Sequence, residues 1–478
     1  MGRWDFRRLR HLVKLRTNMK FESIFFRSPL IIQKLLLNCQ GLIIKYRRYS
    51  PQFKKELNRY LNNYNEGKVL VDNIQLRKFL VAASDFPYWS QCFEDHHINL
   101  ESADIVSEIR KLPILTKAEV KQNIKAFESG TKLKHTIQIQ TSGTTGSGMI
   151  FPQTIEAENK QWAVWWRYRI ANGIKLDDWM GWFGGRKICS ITQKRPPFWR
   201  VVYPLRQVMF SSHHLSNLTI QKYYEVLRSR KIKWIHGYPS QIALLANLIK
   251  EAKLDKLTDL KIITLGSETL LAHQRNIISE VFAVPYFQHY GLAEGVANIS
   301  EYPQEGMVVD SDFAFVEFVP VDTGNNTICR IIGTNYSNPA FPLIRYDTGD
   351  IATGEWISEN SFKVHSIDGR VEDVIVLKNG ITLGRLDHIF KGLIHIKEAQ
   401  IIQKESDRLV FRIVKGGDYD SSKEEQKLIM EINKYLGNEI SVKIEYADTI
   451  QKTKNGKLRL VISEVKKHET DNTRPEER

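Results

Sequence analysis

Thr141-Ser142-Gly143-Thr144-Thr145-Gly146 is the stretch on which the reading of this chain turns. It is small, rich in hydroxyls and interrupted by glycine. Such a backbone can approach an anion closely and aim successive amides and hydroxyls at it, which is the chemistry of a phosphate-holding loop. An ordinary polar turn can carry the same residues, so the run does not stand alone. It is not a Walker loop either. The residues that follow are Ser147, Gly148 and Met149, not a Gly-Lys-Ser/Thr.

Other motifs follow in a fixed order. Tyr290-Gly291-Leu292-Ala293-Glu294 comes first, then Arg345-Tyr346-Asp347-Thr348-Gly349-Asp350, Gly369-Arg370 and Gly456-Lys457. In this order the chain resembles the adenylate-forming superfamily of acyl-CoA ligases, peptide-synthetase adenylation domains and luciferases. Within it, the sequence looks most like the phenylacetate–CoA ligase family, in its capsular-polysaccharide branch. Leu112-Pro113-Ile114-Leu115-Thr116-Lys117, His236-Gly237-Tyr238-Pro239-Ser240 and Gly266-Ser267-Glu268 fit that branch as well. The resemblance extends from about Ser28 to about Ile462.

It implies an α/β fold: a large adenylate-forming N-terminal domain of layered sheets and helices, followed by a small, mobile α+β C-terminal domain. The boundary is expected at 369/370, with a hinge near Glu372 and a polar tail over 468–478. The residue pattern reads the same way. Trp234-Ile235 ends an apolar run, a turn follows at Gly237-Tyr238-Pro239-Ser240, and Ile242, Leu245, Ala246 and Ile249 recur at helical spacing. Ile262-Ile263-Thr264-Leu265 then reads as a buried strand. Strand, helix, strand predicts a parallel sheet with its ligand site at the strand ends. Beyond Gly369, Val374–Leu377 leads to a hairpin signal at Asn379-Gly380, and Leu409, Phe411 and Ile413 alternate. A helix is expected from Ser421 or Ser422 to Gly437, then a strand from Ser441 to Tyr446.

The resemblance also assigns roles. Thr141, Ser142, Gly143, Thr144, Thr145 and Gly146 would hold the β- and γ-phosphates of ATP. Most of the superfamily carries a lysine just after this loop and this chain does not, so the loop's grip would depend on dipoles and Mg²⁺. Glu294 would bind the Mg²⁺, a hard cation suited to a carboxylate plus phosphate oxygens. Tyr290 and Gly291, with Gly266, Ser267 and Glu268, would contact adenine. Asp350 would bind the ribose hydroxyls, and Arg370 the ribose or phosphates. Lys457 would follow charge from carboxylate to α-phosphate as the bond forms. Read without the resemblance, Glu294 and Glu268 are solvated carboxylates, Asp350 sits in a common Thr-Gly-Asp turn, and Lys457 is one of a surface charge run with Lys452 and Lys454.

The reaction so implied joins a small carboxylic acid to AMP with release of pyrophosphate, then passes the acyl group to coenzyme A. A sugar amine or hydroxyl is the alternative acceptor, and adenylyl transfer to a cofactor is a different use of the same site. A degenerate scaffold or a membrane-docking protein is the non-enzymatic alternative. Trp162, Trp165, Trp166, Tyr168 and Trp182-Phe183-Gly184-Gly185 are read first as core and second as an acyl pocket.

The 478 residues, 42% of them apolar, suffice for a large core and two domains. The four cysteines have neither disulfide nor zinc spacing, which fits a reducing compartment and a cytoplasmic protein. The net charge of +15 is concentrated at the front, where residues 1–50 hold twelve Lys/Arg against Asp5 and Glu22. The apolar run Leu30–Leu37, with Ser28 as N-cap and Pro29 as first helical residue, is too short to span a bilayer. It is read as a helix packed on the domain, with peripheral contact at the inner membrane face as the second reading. No nucleic-acid partner is expected.

Overall fold

The computed structural model describes residues 25–127, 135–141, 149–184, 186, 188–190, 192–322, 325–358, 361–370, 375–376, 382–383, 389, 396–416, 419–436, 440–452 and 458–465. Ser142, Gly143, Thr144, Thr145, Gly146, Glu372 and Lys457 lie outside the described residues, as does the tail from 468.

Helix α1 (Leu30–Arg48), which follows a helical stretch at 25–27, is more than twice as long as the apolar run that announced it. Pro29, not Ser28, stands at its N-cap, with no side-chain capping bond, and the Gln33 amide instead donates to the Ser28 carbonyl at 2.9 Å. Asn38, which interrupts the run, faces the domain: it donates to Val201 O at 3.1 Å and accepts from Tyr203 N at 2.9 Å. A helix packed by one face is therefore what the residues form. Helix α2 (Pro51–Asn65) follows, capped by the Ser50 side chain on Phe53 N. Four short helices, α3 (Asn73–Ala83), α4 (Pro87–Asp95), α5 (Ile105–Arg110) and α6 (Lys117–Gln122), then lead to the hairpin β1 (Thr136–Gln140) and β2 (Ile150–Thr154).

Helix α7 (Ile155–Ala171), capped by Thr154, precedes the core of the sheet. Strands β3 (Met180–Phe183), β5 (Gln207–Phe210), β6 (Trp234–Gly237), β7 (Ile262–Gly266) and β8 (Tyr286–Gly291) run parallel in the order β5-β3-β6-β7-β8. Strand β4 (Trp199–Val202) adds antiparallel to β5. Helices α8 (Ile220–Ser229), α9 (Pro239–Glu251) and α10 (Ala272–Phe282) provide the crossovers. Their apolar stripes bury Tyr223, Leu227, Ile242, Leu245 and Ile278 against Phe183, Ile235 and Ile263. Fully burying one such side chain is worth about 1.5–3 kcal/mol, so this cluster dominates the stability of the parallel segment.

Beyond β8 the sheet turns antiparallel through β9 (Asn298–Tyr302), β10 (Gly306–Val309), β11 (Phe315–Asp322), β12 (Asn325–Thr334), β13 (Tyr346–Ser358) and β14 (Ser361–Arg370). Among the described residues it holds twelve strands. Short strands β15 (Ile375–Val376) and β16 (Thr382–Leu383) then pair on either side of Asn379-Gly380. A separate sheet of order β19-β18-β17-β20 follows, from β17 (Ile396–Glu405), β18 (Arg408–Lys415), β19 (Ser441–Tyr446) and β20 (Val461–Ser463). Helix α11 (Ser421–Leu436) packs Leu428 and Ile432 on Leu409, Phe411 and Ile413. This is the α/β class, with the second α+β core, that the sequence implies. Of the four cysteines, Cys92, Cys189 and Cys329 are buried and Cys39 is exposed, and none forms a disulfide.

A buried ionic cluster ties these layers together. Arg167 of α7 donates to Asp312 at 2.8 and 3.0 Å and pairs closely with Asp310, while Asn63 of α2 donates to Asp312 at 2.9 Å. Asn298 and Ser300 of β9 also donate to Asp310, the serine at 2.7 Å. Every charge in the cluster has a counter-charge and hydrogen bonds, which is what allows it to lie in the interior.

Candidate active site

The parallel strands β6, β7 and β8 end at Gly237, Gly266 and Gly291, and the candidate residues gather there. At such strand ends the chain leaves the sheet and exposes backbone to a ligand. A Cβ on Gly266 would stand 2.8 Å from His289 O, so only glycine admits the neighbouring strand. Ser267 then adopts φ +68°, left-handed and strained for a residue with a Cβ.

Tyr290 and Asp350 meet directly. The Tyr290 hydroxyl donates to Asp350 Oδ2 at 2.8 Å, joining two motifs far apart in sequence. Burial, then the Asp350 charge, pushes the phenol well above its usual range, so it stays protonated and remains a donor. Asp350 is aimed by its own turn. Thr348 donates to Ile331 O at 2.8 Å and accepts from Asp350 N at 3.0 Å, and Asp347 accepts from Gly349 N at 2.9 Å. Gly349 sits at φ +74°, where the turn needs it. Arg370 lies opposite Asp350 in the β13–β14 register.

Arg345 anchors the block from behind. Its guanidinium donates to Glu317 at 3.0 Å and to the carbonyls of Arg110, at 2.8 Å, and Leu112. Leu115 pairs its amide with Arg345 O and its carbonyl with Asp347 N, each at 2.9 Å. The Leu112–Lys117 segment is thus the brace that holds the Asp350 turn.

Glu294 is buried in the turn after β8, with Gly295 at φ +68°. Asn335 donates to the Glu294 carbonyl at 3.0 Å, and Gln161 of α7 donates to Leu292 O at 2.9 Å. Gly333 is required below, since a Cβ there would meet Val296 O at 2.1 Å. The loop carrying Asn335 also holds the β1–β2 hairpin: Asn338 accepts from Thr154 N at 3.3 Å and donates to Pro152 O at 3.2 Å. Thr141 and Met149 close the hairpin on the other side. Thr141 N donates to Met149 O, and Met149 N to Thr141 Oγ1, both at 2.9 Å. The base of the Ser142–Gly148 connection and the Glu294 turn are therefore fixed to one another through Asn335 and Asn338. Neither asparagine was singled out in the sequence, where nothing distinguishes them from loop residues.

Glu268 follows Gly266 and Ser267 in the turn after β7. Its carboxylate accepts Ser240 N, at the start of α9, at 3.1 Å and Leu458 N at 3.0 Å. The second contact crosses to the small α+β unit, next in sequence to Lys457. Lys397 of β17 adds an ion pair to Glu251 at 2.6 Å. Among the described residues, no group of three or more His, Cys, Asp or Glu could hold a metal ion by itself. Glu294 suits a site completed by phosphate oxygens and water, as Mg²⁺ sites commonly are.

Of the aromatic run, Trp166 and Tyr168 are buried while Trp162, Trp165 and Trp182 are partly open. Trp165 donates to Asn298 at 2.9 Å and lies edge-on to His289, 5.5 Å between centroids. His289 and His236 are held neutral by burial, with pKa values lowered to about 4 and about 3.

Residues 376–464 match the CapK C-terminal domain family. The chain is similar to protein CapK of Staphylococcus aureus, 24% identical over 452 residues, covering 93% of this chain and 99% of that protein. Two solved structures of 2-hydroxyisobutyryl-CoA ligase in its postadenylation state share the fold. The complex with R3-HIB-AMP aligns with a TM-score of 0.61 at 16% identity, and that with 2-HIB-AMP with 0.60 at 17%. Each covers 82% of this chain and 88% of its own. The chain is thus similar to protein CapK over nearly its whole length, carries the CapK C-terminal domain match at its end, and shares the fold of the solved 2-hydroxyisobutyryl-CoA ligase.

Proposed function

We propose that this protein activates a carboxylic acid with ATP and then transfers the acyl group, most simply to coenzyme A. The observation that carries this reading is the Tyr290–Asp350 hydrogen bond at the ends of the parallel strands, where a nucleoside would lie. In the first step a carboxylate oxygen attacks the α-phosphorus, the bond to the bridging oxygen breaks, and pyrophosphate leaves. Asp350 would accept from the ribose hydroxyls while Tyr290 keeps its carboxylate oriented. Arg370, across from Asp350, would reach the ribose or phosphates. Gly266, Ser267 and Gly291 would give the base a close backbone surface.

The hydroxyls and amides of Ser142–Gly146 would hold the terminal phosphates, and Glu294 would hold Mg²⁺. The ion, when bound, would offset charge on the departing pyrophosphate. Lys457 would complete the arrangement on the acyl oxygen and α-phosphate. In the second step a thiolate attacks the acyl carbon and AMP departs. We place the domain boundary at 369/370 and the hinge at Glu372, whose rotation would exchange Lys457 for the acceptor. A sugar amine or hydroxyl is the alternative nucleophile.

Acid-dependent pyrophosphate release, with hydroxylamine as trap, tests this reading beside Lys457→Ala. Release that requires an acid and falls about a hundredfold or more in the variant is expected. Release without acid would instead point to adenylyl transfer or hydrolysis.

A second reading concerns position in the cell. Helix α1 turns Ile31, Leu35, Leu42 and Tyr46 outward in one stripe, beside an N-terminal segment rich in Lys and Arg. Among the described residues no helix is long and apolar enough to cross a membrane. The stripe and the charge support peripheral contact with an anionic bilayer surface.

A further inference from the structure

Between α1, α2 and α7 on one side and strands β3, β5 and β6 on the other lies a cavity of about 600 Å³. Five tryptophans line it: Trp162, Trp165, Trp166, Trp182 and Trp234. Six Lys/Arg side chains face it against two carboxylates, Asp177 and Asp178, among the described residues.

Arg169 is the unusual member of this lining. Its side chain is 8% exposed, and its guanidinium lies 5.2–5.5 Å from the ring centroids of Trp162, Trp166 and Trp234. Among the described residues, no carboxylate or carbonyl accepts from it. The other buried guanidiniums are all engaged. Arg167 pairs with Asp310 and Asp312, Arg48 with Glu158, and Arg200 with Gln33 and two carbonyls. Tryptophan faces attract a cation but offer its five N–H donors no acceptor, which leaves those donors turned to the cavity. Burial accordingly pulls the Arg169 pKa down, and the nearby Arg48 charge acts in the same direction. A buried cation facing a roomy cavity calls for an anion in that cavity.

The position of the cavity indicates which anion. Trp234 and His236 line it from alternate positions of β6, about 7 Å apart along the strand. His236 is nearer the strand's carboxyl end. Trp165, also in the lining, contacts His289, which directly precedes Tyr290. The cavity therefore begins beside the proposed adenylate site and runs back along the sheet to Arg169.

We infer that this cavity takes the body of the acid substrate, and that Arg169 pairs with a second anionic group on it. The substrate class is then a carboxylic acid with an apolar or aromatic body and a second carboxylate or a phosphate at the end of that body away from the reacting carboxylate. This rests on the adenylating reading above. The neutral His236 is the near wall, and the tryptophans bracket the body of the molecule.

Paired acids test it. Hexanoate is compared with adipate, and phenylacetate with 4-carboxyphenylacetate and 4-phosphooxyphenylacetate. Binding is read from tryptophan fluorescence quenching without ATP, and activation from pyrophosphate release with ATP and Mg²⁺. The full-length protein is expected to favour the doubly charged member by about tenfold or more in both readouts. Arg169→Gln is expected to bring the pair within about twofold, and Arg169→Lys to keep part of the preference. The wild-type comparison stands by itself should the variants fail to fold. Equal treatment of each pair by wild type, or a preference that survives Arg169→Gln, overturns the pairing. Release from singly charged acids with no such preference overturns the pairing but keeps adenylation. Preferential binding of the doubly charged acids without release from any acid sustains the pairing and overturns adenylation.

Discussion

The carboxylate of Glu268, from the turn after β7, accepts the backbone N–H of Leu458 at 3.0 Å, and so ties the large sheet to the residue that follows Lys457. The other oxygen holds Ser240 N at the start of α9. A charged acceptor on two amides is a stronger tether than a neutral one, worth about 1.5–3 kcal/mol per bond before solvent competition is counted. With Lys457 in the role proposed for it beside the phosphates, this tether would favour the first half-reaction. Glu268→Gln is expected to slow acyl-adenylate formation about three- to tenfold while leaving attack on preformed acyl adenylate nearly unchanged. Single-turnover rates of the two steps check this, and equal slowing of both would refute the tether.

The Tyr290–Asp350 pair separates two effects. Asp350→Asn replaces the charged, proposed ribose acceptor by a neutral amide and is expected to raise the KM for ATP about ten- to a hundredfold. Tyr290→Phe removes only the bond that orients it, so a smaller effect of about threefold to tenfold is expected. Steady-state kinetics at saturating acid give both numbers. A Tyr290→Phe effect as large as that of Asp350→Asn would mean that the phenol itself touches the nucleotide.

Three buried histidines set the acid response of stability. Burial lowers His236 to about 3 and His273 and His289 to about 4. Unfolded, each titrates near 6.5, so below that pH the unfolded state binds more protons and gains free energy. The stability these groups leave intact is present above about 6.5 and is lost as pH falls toward 4, at about 1.4 kcal/mol per pH unit for each histidine. His273 has no hydrogen-bond partner for either ring nitrogen among the described residues. His273→Leu is therefore expected to flatten the dependence by about one proton between pH 6 and 5. Urea unfolding at several pH values measures the slope, and an unchanged slope would contradict the burial argument.

The Arg167 cluster is expected to be costly to break from one side. Asp310→Ala leaves Arg167 with Asp312 as its one counter-charge among the described residues and strips Asn298 and Ser300 of an acceptor. A loss of about 3–5 kcal/mol is expected in chemical unfolding. A loss under about 1 kcal/mol would mean that solvent reaches the cluster.

Docking through α1 is open to a simple check. Sedimentation with vesicles containing anionic lipid is expected to carry the protein down, less so in high salt and less so for Leu35→Glu with Tyr46→Glu. Binding that ignores both changes would remove α1 from the interface.

The sequence was legible where local pattern and tertiary role coincide. Trp234–Leu265 carries a strand, a turn and a helix whose buried positions are spaced as the fold requires, and the structure has β6, α9 and β7 there. The hydrogen bond between Tyr290 and Asp350 was not read from the sequence, since a separation of 60 positions gives no local sign of it. The amide partners of Glu268 were not legible because they are 28 and 190 residues away, and a short acidic turn gives no local sign of them. Arg169 was passed over for a physical reason too. An arginine among tryptophans on a helix reads as a surface cation, and only the packing of α1 and β6 against it reveals that its charge is enclosed. The starting residue of α1 was off by one because Gln33, not the Ser28 hydroxyl, makes the bond that closes its first turn.

The most direct measurement of the central claim is exchange of labelled pyrophosphate into ATP, which reads reversible formation of an acyl adenylate with no acceptor needed. With Mg²⁺ and a panel of singly and doubly charged acids, exchange is expected only when a suitable acid is present, and it should fall at least about tenfold in Asp350→Asn at limiting ATP. Folded protein that gives no exchange with any acid, or exchange that is indifferent to acid, would contradict the account.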